Sequence, residues 1–265
     1  MTRPALILTR PMAEAMQWRD ALSPEGWPVL VWPLIEIQAL SPPENHLAQA
    51  WHELSTGQAA MFVSRAAVQY FFADRPKGID WPAHVRAWCT GPGTRLALIE
   101  QGLPPEVVDH PPSGSTWDTE HLWPVVSGQV TTGFPVLIVR GTDRDPTQAL
   151  QAPQGAGRDW LAQQIVGQGG RVRWAVAYRR AGPVWDAGQL ERARSAAADG
   201  SVWLFSSAQA LGHLQHLLPD QDWHEAHALA THPRIAAKAG QMGFGRVQVC
   251  PPSPPEVLAL LKSMS

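Results

Sequence analysis

Ser64 and Ser206 each follow a short apolar run and open a stretch of helix-forming residues, in Phe62-Val63-Ser64-Arg65-Ala66-Ala67-Val68 and Leu204-Phe205-Ser206-Ser207-Ala208-Gln209-Ala210. Thr90-Gly91-Pro92-Gly93-Thr94 and Thr231-His232-Pro233-Arg234 stand in the same relation to the runs before them. A hydroxyl at such a junction caps a helix, and backbone N–H groups of the first turn face an approaching anion. Glycines there let a ligand come close to the main chain. Arg10 and Arg140 also end apolar runs, and an arginine fork meets a carboxylate in a bidentate way. One such residue alone does no more than cap its helix. Several of them converging on one cleft make an anion site.

Other chemistries lack their residues. No glycine-rich dinucleotide fingerprint follows the first apolar run, and no Walker-type Gly-Lys-Ser or Gly-Lys-Thr occurs. A Gly-x-Ser-x-Gly elbow is also missing. His213/His216 and His224/His227 are spaced three apart, which predicts a solvated helix face because no acidic or thiolate set accompanies them. Cys89 and Cys250 stand far apart and read as packing residues of a reducing compartment. The thirteen tryptophans are scattered and read as core or boundary residues. A net charge of −2 carries no basic footprint for nucleic acid, although 18 of the 21 basic residues are arginine. No run approaches the roughly 20 apolar residues of a membrane span, and no leader pattern opens the chain. A cytoplasmic protein with no membrane partner is expected.

The elements that must position these residues come twice. Ser64 and Ser206, and likewise Trp32 and Trp174, lie 142 residues apart; Cys89-Thr90-Gly91-Pro92 and Ala230-Thr231-His232-Pro233 lie 141 apart. Arg10 and Arg140 are only 130 apart, and the polar stretch from Thr142 to Ala156 reads as a loop inserted in the second copy. Each copy alternates short apolar strands with helices. In the first, strand 5–8 leads to helix 12–22, with Ala13, Met16 and Leu22 on its buried face, then strand 29–31. Ser41-Pro42-Pro43-Glu44 predicts a further helix start, followed by strand 59–63 and a helix from Ser64. In the second copy, strand 136–139, helix 157–167 and strand 172–177 precede a helix from Asp186, strand 202–205 and a helix from Ser206. Such alternation predicts two similar doubly wound parallel-sheet α/β domains joined by a two-stranded linker, with a cleft between them.

Taken in order, Leu8-Thr9-Arg10-Pro11, Trp32-Pro33-Leu34-Ile35-Glu36-Ile37, Phe62-Val63-Ser64-Arg65-Ala66-Ala67, Gly91-Pro92-Gly93-Thr94, Gly157-Arg158-Asp159-Trp160-Leu161, Tyr178-Arg179-Arg180, Phe205-Ser206-Ser207-Ala208 and Thr231-His232-Pro233-Arg234-Ile235-Ala236 resemble the uroporphyrinogen-III synthase family. The resemblance spans nearly the whole chain. It implies one domain built from residues 1–35 and 179–265, an inserted domain of residues 38–176, and linkers at about 33–37 and 174–179. The implied activity is that of a cyclising lyase of tetrapyrrole and heme biosynthesis. Linear hydroxymethylbilane loses its hydroxyl as water and closes with the last pyrrole inverted, through an azafulvene cation and a spiro-pyrrolenine, without metal or organic cofactor. The substrate's eight carboxylates suit the arginines and helix N-termini.

The resemblance also implies roles. Tyr178 and Thr94 match the family's catalytic positions. A tyrosine phenol ordinarily holds its proton up to about pH 10, so Tyr178 can donate to the departing hydroxyl. Arg10, Ser64, Arg65, Thr90, Gly91, Arg140, Ser206, Ser207, Thr231 and Arg234 are the expected substrate-binding set, with Thr231 or Arg234 supplying a contact that relatives make with other hydroxyls. A monomer is expected, with a transient contact to the preceding pathway enzyme. Two competitors stand beside this reading: a two-lobed binding or sensor protein for a polyanionic small molecule, and a transferase acting on a nucleotide sugar. The latter needs a diphosphate or metal site that no acidic pair provides.

Overall fold

Leu6, Ile7 and Leu8 expose no surface at all, a run that only a strand covered on both faces accommodates. The computed structural model describes residues 3–41, 45–143 and 160–264. The chain divides into two compact units, Met1–Glu36 with Ala181–Ser265 and Ile37–Arg180.

The first unit holds β1 (Leu6–Leu8), α1 (Met12–Leu22), β2 (Val29–Val31) and the start of β3 (Glu36–Gln38). The second continues from β3 with α2 (Leu47–Leu54), β4 (Ala59–Phe62), α3 (Arg65–Ala73), β5 (Arg86–Cys89), α4 (Pro92–Glu100), β6 (Val108–Asp109), α5 (Thr119–Val126), β7 (Pro135–Thr142), α6 (Trp160–Gly167) and β8 (Arg171–Ala181). The chain then completes the first unit with α7 (Ala187–Ala196), β9 (Val202–Phe205), α8 (Ala208–Leu217), β10 (His227–Ala230), α9 (Pro233–Gln241), β11 (Arg246–Val249) and α10 (Pro254–Met264). The sheets run β11-β10-β9-β1-β2 and β3-β8-β7-β4-β5-β6. Their core strands pair in parallel.

Alternation along each central strand feeds two cores. On β4, Ala60 and Phe62 join Trp51, Val68 and Phe71 on one face, while Ala59 and Met61 join Leu122, Ile138 and Ile165 on the other. On β9, Val202 and Leu204 meet Trp18, Leu22 and Leu261. Trp203 and Phe205 turn the opposite way, to Trp223 and Phe244. Both units are therefore doubly wound α/β sheets.

Sheet pairing gives the register of the repeat. Leu6 pairs with Val202 in one unit and Val136 with Ala59 in the other, which makes β1 the counterpart of β7 and β9 that of β4. Phe62 then corresponds to Phe205, and Ser64 to Ser207 rather than Ser206. Likewise Leu8 pairs with Val31 and Ile138 with Trp174, so Val31, not Trp32, is the counterpart of Trp174. The offset from the sequence reading is one residue in each case, and in a strand one residue exchanges the two faces.

Other expectations also change. Helix α1 buries Ala15, Trp18 and Leu22, while Ala13 is exposed, because the bulky indole of Trp18 sets which stripe faces the core. The helix start expected at Ser41-Pro42-Pro43-Glu44 lies, from Pro42 on, outside the described residues; α2 begins at Leu47, whose N–H donates to the Asn45 side chain at 2.9 Å. Thr142 closes β7, paired with Arg179. The rest of the expected insertion except Asp143 lies outside the described residues, as do Gly157, Arg158 and Asp159. Residues 174–179 lie within the eleven-residue strand β8. Among the described residues no helix is long and apolar enough to cross a membrane.

Candidate functional site

In the second unit the candidate residues gather at the carboxyl ends of β4, β5, β7 and β8, where open parallel sheets bind ligands. The chain leaves β4 at Phe62, and Ser64, in extended backbone, caps α3 by accepting the Ala67 N–H at 3.1 Å. The Ser64 hydroxyl also lies 3.1 Å from the Tyr178 hydroxyl. Only 4% of Tyr178 is exposed, and its ring belongs to the core that holds Ala175 and Ala177. Strict alternation would send Tyr178 to the opposite face from Ala177. A bulge prevents this: Arg140 pairs with Val176 and Gly141 with Tyr178, leaving Ala177 as the extra residue and turning the phenol to the same side. The ring then lies 5.9 Å from that of Tyr70, whose hydroxyl donates to the Ile37 carbonyl at 3.0 Å.

At the end of β5, Gly91 precedes α4, which starts with Pro92 and has no side-chain cap. Thr94 is buried in the first turn, its N–H donating to the Gly91 carbonyl at 3.0 Å. Thr90 and Gly91 are half-buried. Cys89, just before them, is fully buried, and desolvation pushes its thiol up to about 12, which suits packing rather than nucleophilic work. Arg140 lies two residues before the end of β7, with its guanidinium 4.2 Å above the Trp174 ring. Arg65 turns away to Glu100 on α4, at 3.0 Å.

The first unit carries a matching set. Thr9 is buried and donates to the Leu204 carbonyl at 2.6 Å, tying the end of β1 to β9. Arg10 follows it, stacked 4.1 Å above the Trp18 ring and 3.6 Å from Glu14, with a side chain 11% exposed. Its Nε and Nη2 are buried without a hydrogen-bond partner among the described residues. Burial lowers the Arg10 guanidinium below its ordinary value, and Glu14 acts the other way. Arginine begins so high that it remains a cation. Arg10 and Arg140 thus occupy equivalent positions in the repeat, and each lies over an indole, though from different elements.

The expectation that Ser206 caps its helix is corrected: Ser207 does so, accepting the Gln209 N–H at 3.1 Å. The reason is the 143-residue offset that the sheet register imposes from Ser64 to Ser207. Ser206 is half-buried in the same junction. Thr231 donates its N–H to the Phe205 carbonyl at 3.0 Å, continuing the ladder beyond β10. His232 caps α9 through Nδ1, which accepts the Arg234 N–H at 3.1 Å; the Arg234 side chain is exposed. The histidine pairs also depart from a solvated helix face. His213 on α8 is half-buried, 2.5 Å from the Leu34 carbonyl, and His227 lies in β10 while His224 precedes it in a turn beside Asp222.

Sequence reasoning did not single out Gly141 or His232. Gly141 follows Arg140 directly, yet its importance depends on which side chain lies above it. His232 occupies the position of Gly91 in the repeat, a signal that was present but ambiguous, since histidine is an uncommon cap. Among the described residues no group of three or more His, Cys, Asp or Glu is placed to hold a metal ion. The assembled groups are hydroxyls, arginines and helix N-termini.

Comparison with known proteins follows the same lines. The fold is similar to that of uroporphyrinogen-III synthetase from Helicobacter pylori, at 14% identity over 99% of this chain and 100% of that one, with a TM-score of 0.59. It is also similar to a mutant uroporphyrinogen III synthase from the extremely thermophilic bacterium Thermus thermophilus, at 16% identity over 98% of each chain, with a TM-score of 0.55. These likenesses show the two-unit fold. The family model described as uroporphyrinogen-III synthase HemD matches residues 16–259, and with nearly the whole chain so covered, the protein belongs to the uroporphyrinogen-III synthase family.

Proposed function

We propose that this chain closes linear hydroxymethylbilane to uroporphyrinogen III, with loss of water and inversion of the last pyrrole. Beside family membership, the observation that carries this reading at the level of the site is the Tyr178–Ser64 hydroxyl pair at the N-terminus of α3. The substrate's pyrroles are themselves the nucleophiles and electron donors, so the protein's task is to release the hydroxyl and to decide which carbon is attacked.

In our reading Tyr178 gives its proton to the hydroxyl as the C–O bond breaks, and a pyrrole nitrogen lone pair compensates the electron-poor carbon. Water departs, leaving the azafulvene cation. The substituted carbon of the last ring attacks it to give the spiro-pyrrolenine, which reopens and closes in the inverted sense. Loss of one proton restores the final pyrrole, and that proton returns to Tyr178, so bilane becomes macrocycle plus water. Thr94, in the first turn of the side-chain-uncapped helix α4, orients the reacting end. In the second unit Arg140 and the N–H groups of α4 are the carboxylate partners, with Thr90 and Gly91 lining that junction; in the first unit Arg10 and the N–H groups of α9 have the corresponding part, with Ser206 and Thr231 lining theirs. Arg65, held by Glu100, and the exposed Arg234 stand further from this task. We further infer a cytoplasmic monomer that meets the enzyme producing its short-lived substrate only in passing.

A coupled assay tests the reading. Hydroxymethylbilane is generated in situ, this protein is added, and the oxidised products are resolved as type I and type III isomers. Type III product is expected; type I alone, from folded protein, overturns it in favour of a polyanion-binding protein. In the same assay Tyr178→Phe is expected to turn over several-fold more slowly while remaining folded.

A further inference from the structure

We propose that Ser64 is a positioning residue for Tyr178 rather than a substrate contact, and that it aims the phenol proton away from itself. This rests on Tyr178 being the proton donor of the reading above. A serine hydroxyl has one proton and two lone pairs. The Ala67 N–H takes one lone pair, so the Ser64 proton is not directed at the helix. The positive end of α3 favours that same orientation, with the oxygen toward the helix and the hydrogen away from it. Beside the Ala67 N–H, the partner of the Ser64 hydroxyl among the described residues is the Tyr178 Oη, at 3.1 Å. Ser64 therefore donates to the phenol oxygen, and the phenol's own proton is left for a ligand. When that proton is transferred, the phenolate receives the Ser64 O–H and lies near the helix N-terminus, two groups preorganised for the charge that develops.

Gly141 completes the seat. A Cβ there would stand 2.3 Å from the Tyr178 Cε2 and Cζ, so the ring lies against bare backbone, at a place where any other residue would force it to shift. The bulge at Arg140/Gly141 brings the two into register.

The chain has only two tyrosines, Tyr70 and Tyr178, so incorporation of 3-fluorotyrosine yields two fluorine resonances, assigned with Tyr70→Phe and Tyr178→Phe. Ser64→Gly removes the hydroxyl while leaving at the helix start a residue that N-cap positions tolerate well. We expect the Tyr178 resonance to move in Ser64→Gly while that of Tyr70 stays. Turnover should fall roughly tenfold, the rate equivalent of one lost hydrogen bond, with KM little changed. Ser64→Thr, which keeps the hydroxyl, should restore both. A raised KM with unchanged kcat would make Ser64 a substrate contact and overturn the proposal, as would a Tyr178 resonance that does not move. Slow Tyr178→Phe beside unimpaired Ser64→Gly removes the positioning role alone. Wild-type turnover of Tyr178→Phe removes the donor reading, and the positioning role with it.

Discussion

Gly141 lies directly against the ring of Tyr178: a Cβ on Gly141 would stand 2.3 Å from both Cε2 and Cζ, far inside van der Waals contact. The two residues pair across β7 and β8 just after the register shift, and the nearest atoms in the way are those of the buried Tyr178 ring, which must itself shift to make room. Gly141→Ala is expected to destabilise the protein by about 1–3 kcal/mol, as overpacking of a closed site does, and to lower turnover beyond what the remaining folded fraction explains. Thermal unfolding and kcat of the folded protein read the two effects. A variant with native melting temperature and native kcat would show that the ring moves aside without consequence.

Arg10 is held over Trp18 with two guanidinium nitrogens buried and without a partner among the described residues. Such groups are costly unless something completes them. Arg10→Gln is expected to raise KM about tenfold, the scale of a charged hydrogen bond, with kcat little altered. Arg10→Lys should not restore it, because an ammonium lacks the planar fork and stacks less well on an indole. Recovery of the native KM by lysine would reduce the role to one of charge alone.

Thr94 is 6% exposed at the start of a helix with no side-chain cap. Thr94→Val keeps the shape and removes the hydroxyl. Turnover should drop several-fold with the fold intact by circular dichroism; wild-type kinetics would leave Thr94 as a packing residue of the first turn.

The two serines after β9 separate a cap from its neighbour. Ser207→Ala should cost about 1 kcal/mol of stability, the usual loss for a serine N-cap, whereas Ser206→Ala should cost little stability and instead weaken substrate binding. Urea unfolding of both variants decides. Equal losses would contradict the register read from the sheet.

Cys89 provides a test in pH. Burial pushes its folded-state thiol to about 12, above the ordinary value near 9. From about pH 9 upward the unfolded chain therefore loses a proton that the folded chain keeps, the unfolded state binds fewer protons, and stability falls as pH rises. Below pH 9 this contribution is fully present. Cys89→Ala should be less stable at pH 8 because of the cavity it leaves, yet its stability should decline less steeply between about pH 9 and 11. Parallel curves for the two proteins would refute the assignment.

Much of this architecture is legible in the chain. The alternation of apolar triplets with helical segments, the 141-residue spacing from Cys89 to Ala230 and the 130-residue spacing from Arg10 to Arg140 all survive in the sheets. These features are local: a strand end, a cap and a proline at a helix start each leave a mark within a few residues. The phase of α1 was not legible from its apolar residues alone, because two stripes competed and the packing of Trp18 chose between them. The Ser64–Ser206 pairing failed for a related reason, since two adjacent serines look alike until a strand partner sets the register.

The sequence by itself determined that the chain builds two similar parallel-sheet units and that hydroxyls, glycines and arginines stand where strands become helices, because apolar periodicity and capping chemistry act over short distances. It also singled out Tyr178 through the resemblance that its neighbours carry. What only the tertiary structure decided is where that phenol goes. An unpaired strand would have sent Ala177 and Tyr178 to opposite faces. The extra residue at the bulge turns Tyr178 onto Gly141 and toward Ser64, a partner 114 residues away. Such a register shift belongs to the pairing of two strands, and neither strand encodes it alone.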